Sequence, residues 1–130
     1  MSASARLSIW GFVLALAAAP ASAHHSAAAT YAADETTVVK GKVLEFVWTN
    51  PHCHVYIDVA VGPFKGRTYT VELGTPAALA GDGWTKASLG PGDEVVMTVH
   101  PSRTGALSGL CRRCALSING AAWRGPATVE

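Results

Sequence analysis

The chain has 130 residues, with 10 Lys and Arg against 9 Asp and Glu, for a formal net charge of +1. That balance, with no Lys/Arg cluster and no basic run interleaved with aromatics, excludes the electrostatic footprint of a nucleic-acid-binding protein and gives no hold on anionic lipid. Three cysteines and a length suited to one small core leave room for a single domain.

The first segment reads as an export signal. Arg6 precedes an apolar run from about Leu7 to Ala19, and Pro20 is followed by Ala21 and Ala23 at the positions of an A-x-A cleavage site. The run is too short to stay behind as a membrane span, which takes about 20 residues. Residues 1–23 are therefore expected to be a cleaved secretory signal peptide, and the mature protein a periplasmic one without a membrane span. Cleavage after Ala23 would make His24 the first residue, with a free α-amine beside its imidazole.

Residues 24–35 are polar and Ala-rich and read as an extended arm; residues 36–130 form one domain. Strand one runs through Val39–Trp48, with Val39, Gly41, Val43 and Phe46 facing inward and a bulge where the alternation slips. Thr49-Asn50-Pro51 is turn chemistry, and strand two, from His54 to Val61, alternates cleanly. Gly62–Gly66 is a hairpin loop before strand three, Arg67–Leu73. Thr75-Pro76 then caps and starts a short helix that ends at Gly81. Gly90-Pro91-Gly92-Asp93 turns the chain into strand four, Glu94–His100, and the last strand spans about Leu110 to Ile118. Three strands, one short helix and two strands is the order of a small five-stranded OB-like β-barrel.

An odd cysteine count in an oxidising compartment implies one disulfide and one thiol. Cys111 and Cys114 fall within the expected last strand, where residues three apart point to opposite faces about 10 Å from each other. The spacing thus favours a bridge from Cys53 to Cys111 or Cys114 over a redox motif.

Several short strings together resemble a family of small exported bacterial proteins catalogued as a domain of unknown function. They are His24-His25-Ser26, Gly41-Lys42-Val43, Trp48-Thr49-Asn50-Pro51-His52, Glu72-Leu73-Gly74, Gly83-Trp84-Thr85 and Gly90-Pro91-Gly92-Asp93. The resemblance spans the mature chain and implies a secreted β-barrel; it implies no reaction.

Function has to be sought in the histidines. His24, His25, His52 and His54 form two pairs, and His100 stands alone before Pro101. His24 offers the two-nitrogen bite of a histidine brace, and imidazole with amine suits copper better than zinc. His52 and His54, two apart on a strand, share one face, and Cys53 between them faces the other way. The candidate metal ligands are His24, His25, His52 and His54, with copper as the expected cofactor. The chain has no Ser-His-Asp grouping, no phosphate loop and no HExxH, so no enzyme is expected. Asp58 and Glu72 read as charges on a solvated strand face, and Trp48, Trp84 and Trp123 as core or barrel plugs rather than a ligand groove. The alternative is a metal-free scaffold that holds a peptide, a saccharide or an exported protein partner.

Overall fold

The computed structural model describes residues 27–123; the expected signal peptide, His24 and His25 lie outside them. Alternation in three successive segments builds the first half of a barrel. β1 (Thr37–Val47) pairs antiparallel with β2 (His54–Val59), which pairs antiparallel with β3 (Thr68–Glu72). Every second residue of these strands points inward, and Val39, Val43, Val55, Ile57, Tyr69 and Val71 are buried. The register of β1 against β2 slips between Val43 and Glu45, the bulge foreseen from the alternation. It turns the strand so that Phe46 and Trp48 pack half-buried against the core. Trp84 is buried as expected, whereas Trp48, expected to be buried too, retains part of its exposure.

The helix falls where Thr-Pro places it. α2 (Pro76–Gly81) starts with Pro76, and Thr75 Oγ1 accepts from the Ala78 amide at 3.1 Å. Its Leu79 joins Trp84 and Leu89 in the core. The chain then returns as β4 (Glu94–Pro101), whose Val95, Met97 and Val99 are buried.

β4 pairs antiparallel with β1, from Thr37↔Val99 to Lys42↔Glu94. β5 (Ser108–Leu110) lies parallel to β3 and antiparallel to the end of β4. The order β1-β2-β3-β5-β4 therefore closes on itself as a five-stranded barrel of OB type, with α2 between its third and fourth strands. The fold class expected from the element order is the one observed.

The last strand differs from the expectation. The chain leaves the sheet after Leu110 and re-enters as β6 (Leu116–Ile118), which pairs with Val95–Met97 at the other end of β4. β6 then turns through Asn119 and Gly120, both at positive φ, into β7 (Ala121–Ala122). Between β5 and β6 the backbone folds into a tight loop with Arg113 at φ 53°, which brings Cys111 and Cys114 to a Cα separation of 5.1 Å, and the two are disulfide-bonded. The bridge expected from Cys53 to one of this pair is thus corrected. The 10 Å spacing that argued against Cys111–Cys114 applies only to continuous strand. Cys53 is a free thiol enclosed in the core.

The segment expected as an extended arm contains one helical turn, α1 (Ala27–Thr30), followed by the buried Tyr31 and Ala32. No helix among the described residues is long and apolar enough to cross a membrane.

Candidate functional site

The junction between the start of β2 and the end of β3 positions the site. Cys53 donates its amide to Gly74 O at 2.9 Å and accepts from the Leu73 amide at 2.8 Å, which pins this backbone while the Cys53 side chain enters the core. His52 and His54 flank it on the opposite, outer side, as the two-residue spacing requires. Cys53 is accordingly withheld from anything the histidines bind. In the ladder His54 lies directly opposite Glu72.

Glu72 is the centre of the arrangement. Its Oε1 lies 2.9 Å from His52 Nδ1, and its Oε2 accepts from the Tyr31 hydroxyl at 2.8 Å. The Arg112 guanidinium stands 3.6 Å from Oε1. Only 18% of the Glu72 side chain is exposed, so its charge is compensated largely by these three groups rather than by water. The outer-face carboxylate, expected to be merely solvated, holds together residues from the arm, the β1–β2 turn and the disulfide loop.

Two consequences follow for proton positions. A carboxylate only accepts, so Nδ1 of His52 is the donor in this contact, and the neutral ring keeps its lone pair on Nε2. Burial first, and then the hydrogen bond to Glu72, push the Tyr31 phenol well above its ordinary pKa, so it stays a protonated donor. A histidine that gives one ring nitrogen to a carboxylate keeps the other for a ligand, and ligating histidines are commonly held by a carboxylate in this way.

The arm is tied beside this site by the end of β4 and the residues that follow it. Arg103 donates from its Nε to Ala28 O at 2.9 Å and from its amide to Thr30 O at 3.0 Å. Ala32 donates to Pro101 O at 2.9 Å, and Tyr31 bridges to Ser102. These bonds fix where the chain preceding Tyr31 enters, on the side of the barrel that carries Glu72.

Of the four histidines singled out by sequence, His52 and His54 share this face, and His24 and His25 lie outside the described residues. Among the described residues no three His, Cys, Asp or Glu side chains are grouped so as to hold a metal ion. His100 is occupied elsewhere, its Nδ1 2.8 Å from the carbonyl of Glu35. Glu72, Tyr31 and Arg112 were not among the sequence candidates. Their only early signal was Glu72 itself, a charge at the end of a strand beside a histidine pair.

The aromatic residues make a separate cluster rather than a groove. Trp84 packs on Trp123 with ring centroids 4.7 Å apart and on Phe46 at 6.0 Å, and Phe46 meets Trp48 edge-on at 5.9 Å.

No curated protein and no solved structure matches this chain at a significant level. A family model does, over residues 12–112, which is most of the chain. The chain belongs to that family, DUF6152, described as a family of unknown function.

Proposed function

We propose that this is an exported, periplasmic, non-enzymatic barrel that binds a transition metal, copper before zinc. The ligands are Nε2 of His52 and the amine and imidazole of a processed His24, with His25 or His54 as a further ligand. The observation that carries the reading is the His52–Glu72 contact, which engages Nδ1 and leaves Nε2 of the neutral ring with its lone pair. The entry point of the arm supports it as well. His24 is three residues before Ala27, a span of at most about 10 Å; α1 is tied to Arg103, and Tyr31 directly after it reaches Glu72 with its hydroxyl. Such a module would carry the metal or serve an exported oxidoreductase as an accessory.

Copper titration of protein beginning at His24, beside protein with one extra residue before it, is the test. The extension blocks the α-amine as a terminal ligand, so stoichiometric Cu(II) binding should be lost, and His52→Ala should weaken it too. Equal, weak uptake by all forms would replace this reading with the metal-free scaffold. One feature fits that second reading: Val38 and Val61 are 63% and 53% exposed and line a surface cleft with Pro63 and Phe64.

A further inference from the structure

We propose that Cys111–Cys114 is an exchangeable disulfide that takes electrons from an exported dithiol, with Cys114 as the sulfur attacked. The bridge joins residues three apart in sequence, so it closes one of the smallest loops a disulfide can close. Loops this short constrain the unfolded chain least, which makes a purely stabilising role the weaker account of the bridge. The barrel does not depend on it: β5 and β6 are each held to β4 by their own ladders, on either side of the loop. The loop itself is anchored by the Cys111 amide on Glu72 O at 2.9 Å and by the Arg112–Glu72 pair.

The surroundings favour attack from outside. Cys114 is partly exposed, whereas Cys111 is 6% exposed and stands at the wall of an open cleft of about 390 Å³. Gly74, Ala77 and Ala78 line that cleft together with the charged Asp82, Arg112 and Arg113. Arg113 pairs with Asp82, which also lines the cleft, with Nη2 to Oδ1 at 3.1 Å. Arg112 and Arg113 lie between the cysteines in sequence, Arg112 only loosely paired with Glu72 at 3.6 Å and Arg113 paired with Asp82, and cations near a cysteine favour its thiolate.

Exchange then proceeds as follows. A thiolate of the donor forms a bond to Cys114 Sγ, the Cys111–Cys114 bond breaks, and Cys111 leaves as a thiolate at the cleft that it lines. The donor's second thiolate attacks its own sulfur in the mixed disulfide and releases Cys114. The donor dithiol is oxidised to a disulfide, the protein gains two electrons, and the two protons lost by the donor's thiols end on Cys111 and Cys114 or in solvent. Cys53, enclosed in the core, takes no part.

The experiment uses the mature chain under native conditions, with dithiothreitol as the dithiol. After quenching and alkylation, two labels per chain are expected while circular dichroism stays folded, and the third cysteine labels only in denaturant. With glutathione, a monothiol, peptide mapping should place the trapped mixed disulfide on Cys114. Replacing both arginines (Arg112→Ala with Arg113→Ala) should slow exchange by roughly three- to tenfold through loss of thiolate stabilisation. The proposal is overturned if reduction requires unfolding, if all three cysteines label together, if glutathione is found on Cys111, or if the arginine variant folds and exchanges at the parent rate. Should that variant fail to fold, the glutathione mapping on the unaltered chain decides.

Discussion

Replacing Glu72 by Gln tests whether the carboxylate organises the site or merely occupies it. The amide has the same shape but loses the charge, and it offers one acceptor oxygen where Glu72 uses two. Hydrogen bonds to a charged group contribute about 1.5–3 kcal/mol each when enclosed, and Glu72 makes two short ones, to His52 and Tyr31. The Arg112 contact is longer, and that side chain is 43% exposed, so it adds no more than about 0–1 kcal/mol. Because Gln preserves part of the bonding, the expected loss is about 2 kcal/mol, which lowers Tm by about 8–16 °C in a domain of this size. Thermal and urea denaturation of the parent, Glu72→Gln, Tyr31→Phe and the double variant would measure it. The cycle should return a coupling of about 1 kcal/mol between Tyr31 and Glu72. A Tm within about 2 °C of the parent, together with additive single effects, would refute the idea that this carboxylate ties the arm to the barrel.

Gly41→Ala should be among the most damaging single-methyl additions. A Cβ there would stand 2.8 Å from both the Asp58 carbonyl carbon and Ile57 Cγ2, and closer still to the Asp58 oxygen. Backbone cannot give way as a side-chain tip can, so the cost should reach or exceed the top of the ~1–3 kcal/mol range for overpacking, read as a fall in the urea midpoint. Thr75→Ala removes the oxygen that accepts from the Ala78 amide and should cost about 1 kcal/mol, again measured by urea. Asp93 contributes stability that depends on pH. The Asn119 amide first, and the Gly90 amide next, hold its carboxyl below the usual range. A depressed folded pKa gives stability that is present above the unfolded value of about 3.9 and lost as pH falls through the folded one. The stability gap between the parent and Asp93→Asn should therefore be level above about pH 5 and close in more acid solution; a gap that does not change with pH would contradict it.

The strands were legible because their chemistry is local. His54–Val59 alternates within itself, Thr75-Pro76 caps its own helix, and the slip after Val43 could be seen as a break in one strand's rhythm. The disulfide loop was misread for the complementary reason. Nothing about the residue type of Arg113 announces a left-handed backbone, so Leu110–Ile118 passed for one strand, and the cysteine geometry inferred from it failed. The outward direction of His52 and His54 was available from the two-residue period. Their carboxylate partner was not, because Tyr31 reaches Glu72 across 41 residues and Arg112 arrives from a different loop. An Ala-rich segment around Tyr31 likewise gives no periodicity from which its burial could be read.

The barrel closes through its most distant pairings, Thr37 with Val99 and Thr70 with Ser108. During synthesis β1, β2 and β3 can form a meander early, but each outer edge of that meander stays unpaired until the segment from Glu94 to Leu110 has emerged. Exposed edges are templates for wrong partners, and sheets built on such long-range contacts fold in milliseconds to seconds rather than microseconds. The half-made barrel is thus the vulnerable species in the life of this chain. Truncation anywhere before β4 should yield aggregation rather than a smaller folded protein, and a chaperone that shields strand edges would act on the first seventy or so residues.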